Sequence, residues 1–397
     1  MFSGAHDVMI NGGSFTMGTA HLTIDRRLDR LLEEVAPNAI SNAGGRADEV
    51  QCYPGTREDV MGRMEKWMDG KDSGKGPGRM LWLSGPAGAG KSAIMQTLAQ
   101  RCQNRGKHVA NFFFFRNDMT RNHAQPLVAT LAYQLRAFYP ALNNLLGDCL
   151  MATPLICKAS ISEQFRRLIS SPIHTVQNSS SIPQPIIIII DGLDECSNKR
   201  EQEQVLAALH SLVENDESRF HVVVASRAEP HIAMSVNKLG ASVVTISLDD
   251  NYQPQDDIRR FVIAKFDEIK QAHCLAHMLD KHWPTPKDID AIIEKSSGQF
   301  IYAATVMRFI ESSGASPSLS LLTIQGILLD VNHNPYAQLD AVYSHILSQS
   351  HNIKAIKFIL GIHFAILMNP TAFSGKVALD FKSLVHYAGY HLSAEDF

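Results

Sequence analysis

The sequence has no Cys-x-x-Cys pair, no apolar run long enough to span a membrane, and almost no net charge. Its six cysteines, Cys52, Cys102, Cys149, Cys157, Cys196 and Cys274, lie far apart. They read as reduced thiols in a cytoplasmic protein rather than as a disulfide frame. The longest apolar runs are Ile186–Ile190 and Phe358–Met368, the latter interrupted by His363. Both fall far short of the roughly 20 residues a spanning helix needs, so no membrane span is expected. The opening MFSGAHDVMINGG lacks a basic n-region and a long apolar stretch, and so is not a signal peptide. A net charge of -3 gives no global field for nucleic acid; any polyanion must be held by a local site. His273, Cys274, His277 and His282 cluster in a stretch that reads as helix. They lack a partner set at structural-zinc spacing and read as a solvated face. No Ser-His-Asp or Cys-His arrangement can be picked out by spacing, and no internal repeat of fixed period is found.

What is present is material for a core. The chain has 397 residues, of which 45% are hydrophobic, which suggests two to three domains. Residues 1–24 are small and polar, with Val8, Ile10, Phe15 and Met17 around Asn11-Gly12-Gly13. They read as a tail or a short β-arc whose unpaired edges stack with other copies. Residues 25–50 read as an amphipathic helix, its stripe made by Ile24, Leu28, Leu31, Leu32 and Val35 and ended by Pro37, and then a linker. Residues 51–248 alternate strand and helix. Strands are expected at Met80–Ser84, His108–Phe115, Ile186–Ile190, Phe220–Ala225 and Ser242–Leu248. Helices are expected at Ser92–Arg101, Leu127–Phe138, Ser162–Ile169 and Lys199–Asn215. This is the pattern of an α/β parallel sheet covered on both faces. Residues 249–345 read as helical, with helical spacing over Phe261–Ile269, Ile289–Glu311 and Leu339–Leu347, and 346–397 as a helix ending near Met368 and a second possible helix.

Three elements carry chemistry. Residues 85–92 are Gly85-Pro86-Ala87-Gly88-Ala89-Gly90-Lys91-Ser92, which fits G-x-x-x-x-G-K-[ST]. Glycines let backbone N–H groups turn inward around a β-phosphate, and the next helix points its positive end at the same anion. Lys91 is the residue expected to neutralise β/γ oxygens, and Ser92 to ligate Mg²⁺. The second element is the isoleucine strand that ends in Asp191-Gly192-Leu193-Asp194-Glu195. It delivers a carboxylate to the C-terminal edge of the sheet, where ligands bind in open α/β folds. Asp191 is expected at the metal, with Glu195, or else Asp194, orienting the attacking water. The third is Val222–Arg227, whose strand ends in Ser226 and a cation. In the order 5-1-4-3-2 that strand lies between the Gly-rich loop's strand and that of Asp191, so Arg227 is expected to face a γ-phosphate. Arg116 is a weaker candidate for the same task. A GTPase reading lacks its Asn-Lys-x-Asp reader, and a transporter-type ATPase its Ser-Gly-Gly signature.

These elements in this order resemble a NACHT domain of the signal-transduction class of P-loop ATPases, of the nephrocystin-3-like N-terminal type found in fungal NOD-like proteins. The resemblance rests on LWLSGPAGAGKS at 81–92, NFFFFRND at 111–118, IIIIIDGLDEC at 187–196 and VVVASR at 222–227, flanked by CYPGTREDV at 52–60 and GQFIYAATVMRFI at 298–310. It implies an ATP/ADP switch with Mg²⁺ that hydrolyses slowly, self-associates in its ATP form and signals to a partner protein in defence or self/non-self recognition. It also implies that Pro54, Gly55, Thr56 and Arg57 border the adenine, and that 346–397 is a partial winged helix, without the repeats that follow it in members of the family. A non-hydrolysing, nucleotide-holding scaffold is the alternative.

Overall fold

The five apolar runs form one parallel sheet. The computed structural model describes residues 26–41, 51–70, 78–179, 185–214, 218–248, 252 and 254–326, with a few isolated positions beyond. The strands are β1 Met80–Ser84, β2 His108–Phe113, β3 Ile186–Asp191, β4 Phe220–Ser226 and β5 Val243–Ser247, in the order β2-β3-β4-β1-β5. Read from the other edge this is 5-1-4-3-2, and every pairing is parallel. β-Branched and aromatic side chains with a period of two suit such strands when both faces are covered. Ile186, Ile188 and Ile190 enter one core with Met80, Trp82, Val222 and Val224. Ile187 and Ile189 enter the other with Leu81, Leu83, Val223 and Ala225. An unbroken run of isoleucine is therefore a strand buried on both sides.

Helices α2 (Glu58–Met68) and α3 (Lys91–Asn104) cover the second face. The first face is covered by α4 (Leu127–Phe138), α5 (Leu142–Ala152), the chain from α6 (Ile161–Phe165) to α7 (Ser171–Ser179), α8 (Lys199–Val213) and α9 (Pro230–Leu239). Between α6 and α7 the helix widens to a π-turn at Arg166–Ser170. Pro172 just beyond it has no N–H and a ring that crowds the preceding turn, which favours such widening. Helices α10 (Pro254–Ala272), α11 (Pro286–Ser296), α12 (Phe300–Ser312) and α13 (Pro317–Gly326) build a third core around Phe266, Trp283, Tyr302 and Val306.

Several details depart from the sequence reading. Strand β2 ends at Phe113, and Phe115 lies outside it beneath the Arg121 guanidinium, 5.0 Å from the ring centre. Helices α2, α5 and α9 were not expected. The expected helix Ile289–Glu311 is two helices, broken where Ser297 and Gly298 take φ values of 47° and 78°. Within the helix expected over 24–35, the described residues form a turn at Arg26–Leu28 followed by α1 (Asp29–Glu33), and Leu32 on its supposed apolar stripe is 41% exposed. The start of the supposed linker is packed, with Ala39 and Ser41 buried. Ser41 is bonded through its N–H to Asn111 Oδ1 at 2.8 Å, on edge strand β2. The histidine cluster is not on one helix either: α10 ends at Ala272, and His273 turns to Ser313 O at 3.1 Å. The expected β-arc at 1–24 lies outside the described residues, as does the partial winged helix at 346–397 apart from isolated positions.

Candidate functional site: a phosphate loop beneath a helical cap

Strands β1, β3 and β4 end side by side, with Ser84 paired to Ser226 and Ile190 to Val224. From those ends issue the Gly-rich loop, the acidic turn and Arg227. The loop turns tightly. Gly88 and Gly90 have φ values of 75° and 88°, in the region closed to most side chains. Gly90 caps α3, so the positive end of that helix opens into the loop. Lys91 folds back, its Nζ donating to Gly85 O at 2.8 Å and Pro86 O at 2.9 Å. Burial lowers its ammonium pKa, while Asp194, Asp191 and Glu195 oppose that shift. An ammonium held only by neutral carbonyls, in partly dry surroundings, gains a stronger charge-assisted contact when a phosphate oxygen arrives. The loop therefore fits a polyphosphate.

The acidic turn follows Gly192, at φ 66°, which reverses the chain so that Asp194 and Glu195 face back toward the edge of the sheet. Asp191 and Asp194 are each 4% exposed. Asp194 is committed to Arg227: Oδ1 accepts the Arg227 N–H at 2.9 Å and Oδ2 meets Nε at 3.2 Å. Glu195 Oε2 accepts the Arg116 N–H at 3.0 Å, and the Arg116 guanidinium donates to Asp194 O at 3.0 Å. Burial is the main influence on Glu195 and raises its pKa. Ser226 serves structure, accepting the Trp82 indole N–H at 2.8 Å. Among the described residues no group of three His, Cys, Asp or Glu side chains is arranged to hold a metal. A metal held by Asp191 and Ser92 would need further ligands from phosphate and water, which is how Mg²⁺ is commonly bound.

Arg57 is packed between the phosphate loop and the helical region. It is 5% exposed, and its Nη2 donates to Ala89 O at 2.8 Å, on the flank of the phosphate loop. Its N–H donates to Asp257 Oδ2 at 3.0 Å, and its guanidinium lies 4.8 Å from the centre of the Phe300 ring. Nearby, Arg260 donates to Gly55 O and Tyr53 Oη to Glu268 Oε1 at 3.0 Å. The segment 53–57 is thereby pinned between the loop and α10. Ile301 at the start of α12 sits on the loop itself: its N–H reaches Gly88 O at 3.4 Å, and a Cβ added to Gly88 would lie 2.4 Å from Ile301 Cγ2. Sequence reasoning did not find Asp257 or Ile301 as parts of the site. Asp257 stands 200 residues from Arg57 and belongs to no motif, whereas Ile301 lies in the 298–310 stretch already noted.

Residues 55–227 match the family model described as Nephrocystin 3, N-terminal. No curated protein gives a match. Among solved structures, the chain is similar to the Walker-type ATPase PABY2304 of Pyrococcus abyssi, at 12% identity over 86% of this chain and 91% of that one, with a TM-score of 0.46. It is similar to PCH-2 of C. elegans at 11% identity over 72% and 69%, with a TM-score of 0.39. It is also similar to a chain in the structure of Drosophila ORC bound to DNA, at 11% over 97% and 96%, with a TM-score of 0.40. At these scores nothing about the site is taken from them. With its sheet in the order 5-1-4-3-2, its Gly85–Ser92 loop and its Asp191 strand end, the chain has an α/β P-loop fold, and its segment 55–227 matches the NACHT-like, nephrocystin-3 N-terminal family.

Proposed function

We propose that the chain is a nucleotide-dependent switch that binds ATP or ADP with Mg²⁺ and hydrolyses ATP slowly. The observation that carries this reading is the direct seating of the helical region on the phosphate loop, through Ile301 on Gly88 and through Arg57 between Ala89, Asp257 and Phe300. A change in what the loop holds is thereby felt by a neighbouring structural unit. A ligand shifts such an equilibrium by as much as it prefers one arrangement over the other.

In this reading Lys91 leaves the Gly85 and Pro86 carbonyls for β/γ oxygens, and the N–H groups of residues 85–92 surround the β-phosphate. Ser92 and Asp191 would hold the metal, which would supply positive charge to the bound phosphates. Glu195 orients the attacking water. Arg227, held by Asp194, stands beside the γ-phosphate and reports its loss. Self-association in the ATP form, and a partner protein in defence or self/non-self recognition, are what the NACHT resemblance supports.

The same geometry also favours a second reading, a scaffold that holds nucleotide without turning it over. Both acidic residues of the turn are already engaged, Asp194 by Arg227 and Glu195 by Arg116. Phosphate release separates the two readings: turnover that falls in Glu195→Gln supports the switch, and none in the wild type supports the scaffold. The switch itself is tested by the nucleotide content of the purified chain and by light scattering in ADP and in a non-hydrolysable ATP analogue. Reversible assembly in the analogue alone is expected. Assembly that ignores the nucleotide refutes the switch.

A further inference from the structure

Arg57 is an unusual residue for its place. It is non-glycine in a left-handed conformation, with φ 59° and ψ 20°. Its guanidinium is buried, and its Nε has no hydrogen-bond partner among the described residues. Burying a guanidinium with an incomplete set of partners is unfavourable, and an apolar side chain of similar length packs at least as well in such a place. Packing alone does not account for arginine here.

Its one side-chain hydrogen bond among the described residues gives the reason. Arg57 Nη2 takes Ala89 O at 2.8 Å. In a trans peptide the carbonyl and the following N–H point in opposite directions. Holding the Ala89 carbonyl toward Arg57 therefore turns the Gly90 N–H away from it. Gly90, at φ 88°, immediately precedes Lys91 at the start of α3. A ring of N–H groups binds an anion only if each faces inward, and a glycine-rich loop has little of its own to keep them so.

We infer that Arg57 is a positioning residue that orients the Ala89–Gly90 peptide for phosphate, and that it does so only while the helical region is in place. This rests on the reading of residues 85–92 as a nucleotide phosphate site. The second half of the inference follows from what holds Arg57 itself. The Asp257 carboxylate of α10 fixes its strained backbone through the N–H, and the Phe300 ring of α12 lies against its guanidinium. Arg57 does not touch the nucleotide. It transmits the position of α10 and α12 to the phosphate loop, so displacing the helical region loosens the grip on phosphate with no loss of any phosphate ligand.

The test uses the full chain freed of nucleotide, titrated separately with Mg–ATP and with magnesium tripolyphosphate, which has no base or sugar. Arg57→Gln is expected to weaken both ligands by the same factor, about tenfold. Arg57→Lys, which keeps a charged donor for Ala89 O, is expected to recover part of that loss. Asp257→Asn and Phe300→Leu are expected to weaken both ligands in equal, smaller proportion. Without ligand, amide exchange in the 85–92 peptide is expected to rise in the Arg57 variants while that of β3 stays unchanged, which a general loss of stability would not produce. A loss confined to ATP, with tripolyphosphate unaffected, overturns the inference and makes Arg57 a reader of the nucleoside. Unchanged binding of both ligands in Arg57→Gln overturns it too; should that variant fail to fold, unchanged binding in Asp257→Asn and Phe300→Leu, with unchanged exchange at 85–92, overturns it instead. A wild-type chain that binds neither ligand overturns the phosphate-site reading and the role of Arg57 with it.

Discussion

At the scale of single residues, the acids and bases at the strand ends divide by partner. Lys91 holds only loop carbonyls, so its removal takes away a charge-assisted contact and leaves the loop backbone intact. Lys91→Ala is expected to weaken ATP about 10- to 100-fold, as calorimetric titration of the folded variant reads directly. Glu195→Gln keeps the shape of the side chain and its acceptance of the Arg116 N–H. It is expected to keep ATP bound and slow its hydrolysis, whereas Asp191→Asn should abolish the Mg²⁺ dependence of binding. A wild-type rate in Glu195→Gln assigns the water to another group. A different kind of prediction concerns His221, on β4 and far from the loop. Burial first, then the positive charges of Arg79 and Lys107, pushes its imidazole down to about 4. The ring meets Trp67 edge-on at 5.3 Å. Because the folded value lies below the unfolded one of 6.5, the unfolded chain binds the extra proton in between. The stabilisation from a neutral His221 is therefore complete above about pH 6.5 and is lost as the pH falls toward 4. Thermal melts of His221→Gln should show a shallower decline over that window than the wild type. Parallel declines would mean that other groups set the acid limit.

At the scale of elements, the phosphate loop and α12 meet with no room to spare at Gly88. Gly88→Ala adds a Cβ in a left-handed backbone and drives it into Ile301. A loss of about 2 kcal/mol in stability is expected, from strain and overpacking together. Ile301→Ala in the same chain should recover the overpacking part, and chemical denaturation of the two single variants and the double variant checks this. Fully additive losses would mean that the two residues do not meet. How much of this was readable in advance varies with the range of the interaction. The isoleucine run at 186–190 announces a doubly covered strand because period, β-branching and bounding turn residues agree within ten residues. The Gly85–Ser92 loop is legible because its glycines and its Lys-Ser pair act on one ligand. Helix α9 escaped notice because Pro230 reads as a breaker, although it suits the first turn of a helix. The break at Ser297–Gly298 was hidden inside a continuous apolar stripe. Arg57 was visible as a lone cation in a turn, but its partners Ala89, Asp257 and Phe300 lie 32, 200 and about 240 residues away, and no local pattern reports contacts of that range.

At the scale of the whole molecule, one sheet edge gathers the phosphate loop, the acidic turn and Arg227, while a separate helical core rests against the loop. No helix among the described residues is long and apolar enough to cross a membrane. The charge balance remains near neutral, so anion recognition falls to the loop and the start of α3. The central claim is that what the loop holds decides how the helical region sits. Amide exchange across residues 254–312 measures that most directly, with the chain saturated first with Mg–ADP and then with a non-hydrolysable Mg–ATP analogue, and with Lys91→Ala beside it. The account predicts that exchange in α10 and at the start of α12 differs between the two nucleotides in the wild type and not in Lys91→Ala. Saturating binding of both nucleotides with identical exchange throughout the helical region would contradict it.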